Sequence, residues 1–210
     1  MFTKNIVINN LSKENIHKLA KLKVLVVGNC ENSKTIITNL LNNNIASIGV
    51  FHNDYEIELK KYFDKSDTQH IAKIHSNSEN LADILKNYDI TVDCYKNFDD
   101  KFLLNKLSIE YNKPFVYSFL HGENAQVALI RPKKTACLAC MFPQKPVIED
   151  ISNNNSVSGA IAALQTDIVF RHALGLDANF EECLLTYNTQ DMEFKKIILT
   201  QKTDCKECSV

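Results

Sequence analysis

The pattern of apolar and polar positions alternates between two periods along most of the chain. Val24-Leu25-Val26-Val27 is a continuous apolar run, which predicts a strand buried on both faces of a parallel sheet. Gly28 ends it, and from Ser33 to Asn43 the residues Ile36, Ile37, Leu40 and Leu41 recur at helical spacing. Ile48-Gly49-Val50-Phe51 supplies a second strand, completing a strand–helix–strand unit of the Rossmann kind. Ile71-Ala72-Lys73-Ile74 and Ile90-Thr91-Val92-Asp93-Cys94 read as the third and fourth strands, with a helix over Asn80–Tyr88 between them.

A longer helix is expected from Phe98 to Asn112, with Phe102, Leu103, Leu107 and Ile109 facing inward. Phe115–Phe119 and Ala125–Ile130 follow as strands, and residues 143–156 read as a loop. Gly159–Leu174 is a largely apolar helix, and Leu184–Tyr187 and Lys196–Leu199 are tail strands. At the front, Asn5–Asn9 reads as an extended piece. A helix opened by Ser12 follows, with Ile16, Leu19 and Leu22 on one face, while residues 55–70 read as a charged connection. The expected fold is α/β: a Rossmann-like, doubly wound, mostly parallel sheet. With no repeat and no linker composition, one domain over residues 1–210 is expected.

Charge adds mainly exclusions. Lys and Arg number 24 against 25 Asp and Glu, a net charge of −1, so no basic surface argues for nucleic acid or anionic lipid. No apolar run approaches the ~20 residues that span a bilayer, and no signal peptide is recognised. A cytoplasmic setting is therefore expected, in which thiols stay reduced.

The cysteines carry the sharpest chemistry. Cys137-Leu138-Ala139-Cys140 is answered at the end of the chain by Cys205-Lys206-Glu207-Cys208. One Cys-x-x-Cys pair suits a redox couple or two incidental thiols. Two matched pairs offer four thiolates, the ligand set of a closed tetrahedral zinc site. Such a site would fasten the C-terminus to the middle of the fold. The remaining cysteines, Cys30, Cys94 and Cys183, read as core thiols rather than nucleophiles.

The order of these parts resembles the ThiF/MoeB/HesA family, bacterial relatives of ubiquitin-activating enzymes. Four blocks carry the resemblance: Leu22–Gly28; Asp93–Phe98 with Leu103-Leu104-Asn105 and Lys113–Val116; Gly122–Val127 with Cys137–Pro143; and Gly159–Gln165 with the closing Cys205 and Cys208. The resemblance implies a nucleotide-binding-type half over about 20–135 and a zinc-bearing C-terminal half over about 136–210. It also implies Mg-ATP, adenylation of the C-terminal carboxylate of a small ubiquitin-like sulfur carrier, and a homodimer or a heterodimer with a related subunit.

At the implied ATP site several residues depart from the family pattern. The glycine-rich loop reads Gly28-Asn29-Cys30-Glu31-Asn32-Ser33, with a single glycine and an added acid. His52 and Asp54 stand at the ribose anchor, and only Asp54 matches. Lys60 and Lys61 occupy the stretch of the family's arginine segment, without the planar fork that clamps phosphate. The Asp-x-x-Asp-Asn motif becomes Asp93-Cys94-Tyr95-Lys96-Asn97, so Lys96 stands where the magnesium carboxylate belongs, and Lys101 takes the place of the motif's Arg. No cysteine lies between Met141 and Ser158. The residues left for a nucleotide are Gly28, Asp54 and Asn97, with zinc on Cys137, Cys140, Cys205 and Cys208. These departures lead to the expectation of a degenerate member, a non-catalytic or weakly active binding partner of a related subunit, a ubiquitin-like sulfur carrier or a peptide, in which ATP and Mg²⁺ are doubtful. The alternatives are an adenylyltransferase working with substituted residues and a binder of some other nucleotide at the same crevice, which binding without magnesium would favour.

Overall fold

The computed structural model describes residues 12–43, 45–51, 71–74, 81–147, 155–178 and 180–209. The extended piece expected at Asn5–Asn9, the connection over 55–70, and His52, Asp54, Lys60 and Lys61 lie outside the described residues. Among those residues the elements run α1 (Lys13–Leu19), β1 (Lys23–Gly28), α2 (Ser33–Leu41), β2 (Ser47–Phe51), β3 (Ile71–Ile74), α3 (Leu81–Leu85) and β4 (Ile90–Cys94). They continue as α4 (Phe98–Tyr111), β5 (Phe115–His121), β6 (Asn124–Ile130), α5 (Leu138–Met141), α6 (Asn155–Leu174), β7 (Cys183–Asn188) and β8 (Glu193–Ile198).

The strands form one sheet in the order β3-β2-β1-β4-β5-β6-β7-β8. The first five are mutually parallel, and β6, β7 and β8 continue antiparallel as a meander. Alternation of side chains along β1 explains why the sheet is covered twice. Val24 and Val26 pack with Ile36, Ile37 and Leu40 of α2 and with Ile168 and Val169 of α6. Leu25 and Val27 point the other way, into a cluster with Leu81 and Leu85 of α3, Leu104 and Leu107 of α4, and Leu138 of α5. The expected doubly wound architecture is what the chain adopts.

Several boundaries move for identifiable reasons. Helix α6 begins at Asn155, inside the stretch read as a loop, because its first turn lacks an apolar stripe that would announce it. Helix α4 is rotated relative to its expected face. Lys101, Asn105 and Ser108 are buried with Leu104 and Leu107, whereas Phe102 and Leu103 are only half-buried. It ends at Asn112, which adopts the left-handed conformation with φ 51° that tolerates Asn. The short α5 was not legible, since the first Cys pair gives no helical periodicity.

Two close approaches fix the sheet's centre. Gly28 has φ +88°, and a Cβ there would lie 2.3 Å from the Cys94 carbonyl oxygen, so the end of β1 touches the backbone of β4. Gly49 admits the Tyr88 ring, whose hydroxyl would lie 2.3 Å from an added Cβ. By contrast, Gly122 has φ +59° with open space around it. Gly28→Ala is expected to cost about 3 kcal/mol or more, combining backbone strain with a backbone clash, whereas Gly122→Ala costs about 1 kcal/mol. Urea denaturation of the two variants checks the ranking. Equal losses would show that β1 and β4 do not meet this tightly.

Candidate functional site

In a parallel sheet of this kind the chain leaves β1 toward β2 on one side and returns to β4 on the other, which opens a crevice at the strands' carboxyl ends. Here that crevice is bounded by Gly28 and the loop Asn29–Asn32 on one side and by Cys94–Asn97 on the other. The register Gly28↔Cys94 and the bond from Cys30 N to Cys94 O (2.9 Å) hold the two rims together.

The floor is a polar network sealed from water. Lys101 reaches back from α4 to place Nζ 2.8 Å from Asp93 Oδ2 and 2.6 Å from the Ser118 carbonyl oxygen. Both side chains of this ion pair are almost fully buried, at 1% and 0% exposure. The same ammonium lies 5.4 Å from the Tyr117 ring centroid, within cation–π range. The other Asp93 oxygen accepts from Tyr95 N at 3.0 Å. Burial pushes the Asp93 carboxyl upward from the usual carboxylate range, against the opposing pull of Lys101. From the opposite face of the sheet Gln165 Nε2 donates to the Asp93 carbonyl (3.0 Å), and its Oε1 accepts from Asn32 Nδ2 (2.5 Å). Asn32 is thereby tied to α6 instead of capping α2, where its side chain makes no capping bond.

The rim carries an ion pair. Lys96 Nζ lies 3.0 Å from Glu31 Oε1, spanning the crevice mouth from β4's end to the β1–α2 loop. A lysine therefore stands on the side where a metal carboxylate would be needed, and a carboxylate stands on the loop that would receive phosphate. Asn97 is exposed and caps α4: its Oδ1 accepts from Asp100 N and its Nδ2 donates to Asp100 Oδ2, both at 2.8 Å. Gly28 sits at the β1–β4 crossing, and Asp54 lies outside the described residues. The crevice thus brings Gly28, Glu31 and Lys96 together, while Asn97's side-chain atoms serve the helix terminus.

The cysteine pairs do converge. Cys137, Cys140, Cys205 and Cys208 are all buried, and their sulfurs lie within 4.8 Å of one another. Individual Sγ–Sγ separations are 3.5, 3.7 and 3.9 Å. A tetrahedron with metal–sulfur bonds of about 2.3 Å has edges of about 3.8 Å, so the cluster has the donor set and size to hold a tetrahedral ion. Lys202 N points at Cys140 Sγ (3.4 Å) and Gln201 Nε2 at Cys208 Sγ (3.5 Å), donors suited to thiolate charge. Burial pushes the Cys137 thiol strongly upward. Although burial also acts to raise Cys205, backbone N–H groups of Glu207 and Cys208 help bring it down to about 7. Leu138 N, in the knuckle, donates to the buried Asn105 Oδ1 (2.9 Å), linking the cluster to α4 and through it to the crevice floor.

Sequence reasoning missed Asn32, Ser118 and Gln165 as one network. Their separations of 86 and 133 residues leave no local trace. The lone signal was Gln165 itself, a polar residue within the largely apolar stretch Gly159–Leu174. Cys183 is the buried thiol expected, its Sγ 3.5 Å from the Phe180 carbonyl oxygen.

Comparison with known proteins agrees with this arrangement. The ThiF family model matches residues 53–210, most of the chain, and the chain belongs to that family. Protein HesA of Nostoc sp. is 32% identical over 142 residues, covering 66% of this chain and 56% of HesA. HesA of Leptolyngbya boryana is 32% identical over 113 residues, 53% of this chain and 41% of that protein. The chain therefore spans about half the length of the curated relatives it matches. "Adenylyltransferase and sulfurtransferase MOCS3" of Culex quinquefasciatus is 28% identical over 116 residues, 52% of this chain and 26% of that protein. Among solved structures, E. coli MccB superposes with a TM-score of 0.77 at 16% identity, covering 92% of this chain and 67% of MccB, a likeness of fold. MccB has been solved with ATP and with MccA. No described helix is long and apolar enough to cross a membrane.

The floor network makes a direct prediction. Lys101→Met leaves the Asp93 carboxylate buried without its partner and is expected to cost about 3–5 kcal/mol. The double variant Asp93→Asn/Lys101→Met removes both charges and is expected to cost less than the single one. Chemical denaturation of the three proteins measures the order. A double variant less stable than Lys101→Met alone would refute the pairing.

Proposed function

We propose that this ThiF-family protein is a metal-stapled scaffold with a degraded ATP site, acting as a non-catalytic or weakly active binding partner in a ubiquitin-like or sulfur-carrier pathway. The observation that carries this reading is the Glu31–Lys96 ion pair, 3.0 Å long, across the crevice mouth. Mg-ATP needs the opposite polarity there: donors and open backbone on the loop, an acid on the β4 side. Glu31 repels phosphate, and Lys96 repels magnesium. The scaffold around the pair remains intact, down to the buried Asp93–Lys101 contact. A site of this kind keeps the surfaces for docking a related subunit or carrier while losing the chemistry.

The second reading, ATP-dependent adenylation of the C-terminal carboxylate of a small sulfur carrier, has its support in the family match and in the relative named as an adenylyltransferase. Thermal unfolding separates the two. Ligand at 100 times its dissociation constant adds about 2.7 kcal/mol, a rise of roughly 5–10 °C for a chain this size. The expected outcome is no shift with ATP and Mg²⁺ at millimolar concentration. A magnesium-dependent rise would overturn the scaffold reading in favour of the enzyme. A rise that persists when magnesium is chelated would mark a magnesium-independent nucleotide site.

The four cysteines are assigned to structural zinc, which their softness and compact geometry suit. The purified chain is expected to carry one equivalent of zinc by elemental analysis, and its removal by a chelator to unfold the C-terminal segment. Cys205→Ser should lose the metal. Full stability of the metal-free chain would contradict a stapling role.

A further inference from the structure

Outside the four clustered cysteines, two buried thiols meet at the crevice. Cys30 lies in the β1–α2 loop at 4% exposure, and Cys94 ends β4 at 0%. The 2.9 Å bond between Cys30 N and Cys94 O binds their backbones directly. With standard bond lengths that contact caps their Cα–Cα separation at roughly 6.8 Å, inside the range of disulfides. Burial pushes the Cys94 thiol well upward and the neighbouring Cys30 thiol adds to that push, while Cys30 Sγ donates to Asn32 Oδ1. Gly28, two residues before Cys30, lets the loop lie against Cys94 without a side chain between them.

We propose that Cys30 and Cys94 form a reversible disulfide on exposure to peroxide, fastening the β1–α2 loop to the carboxyl end of β4. Cys30, on the loop, is the attacking thiol. Its sulfur takes one oxygen of hydrogen peroxide to give a sulfenic acid and one water. The Cys94 sulfur then attacks Cys30, forming the S–S bond and releasing a second water. The two thiols together lose two electrons and two protons, and peroxide is reduced to water. A dithiol reductant reverses the step by exchange.

The bond would have a consequence beyond the two sulfurs. Oxidised Cys30 no longer donates to Asn32 Oδ1, a buried acceptor. Asn32 holds Gln165, and Gln165 holds the Asp93 carbonyl, so the oxidation state of the pair is transmitted into the crevice floor. This inference concerns the pair alone and stands whether or not the crevice takes ATP.

The test uses the full, zinc-loaded chain, reduced and then treated with hydrogen peroxide, with remaining thiols blocked by N-ethylmaleimide under denaturing conditions. Peptide mapping without reductant is expected to find the Cys30 and Cys94 peptides joined, about 2 Da lighter than their sum. Dithiothreitol should release them. The oxidised protein should melt several degrees higher than the reduced one, a shift absent in Cys30→Ser. Cys94 lies in the core, so Cys30→Ser serves as the control if Cys94→Ser fails to fold. Maleimide on both residues after peroxide, or sulfinic acid on Cys30 with Cys94 unlinked, would overturn the proposal.

Discussion

The buried ion pair between Lys101 and Asp93 is the contact on which the crevice is built. It joins α4 to the end of β4, and the Lys101 bond to the Ser118 carbonyl extends it to β5. Neither charge reaches solvent, so each is stable only while the other is in place. That requirement sets the rotation of α4, turning Lys101, Asn105 and Ser108 inward where simple amphipathicity would have placed Phe102 and Leu103. Asn105 then receives the amide of Leu138, and the cysteine cluster is positioned from the same helix. The floor and the cysteine cluster are joined through one helix.

Above that floor an ion pair spans the mouth of the crevice. Glu31 and Lys96 satisfy each other at a mouth where phosphate and magnesium would need the reverse arrangement. Their partial exposure makes this a weak contact energetically, worth about 1 kcal/mol or less. Its importance is electrostatic: it determines which ligands the crevice repels.

Much of this was legible before the structure. The apolar run Val24–Val27 and the helical spacing of Ile36, Ile37 and Leu40 give the first unit because burial on two faces writes itself into local pattern. The two Cys-x-x-Cys pairs announced a cluster, since ligand spacing is local within each pair. The charge reversal at Lys96 was visible against the family motif, but its partner Glu31 lies 65 residues away. Asn32, Ser118 and Gln165 were illegible as a group for the same reason: hydrogen bonds between distant segments leave no period. The inward turn of α4 was also hidden, because a buried lysine looks in sequence like any exposed one.

The most direct test of the account is calorimetric titration of Mg-ATP into the native chain and into the double variant Glu31→Gly/Lys96→Asp, which opens the loop and supplies an acid on the β4 side. If the ion pair closes the site, the variant gains saturable binding and the native chain binds at least about tenfold more weakly, a difference of roughly 1.4 kcal/mol. Native binding as tight as that of the variant would contradict it.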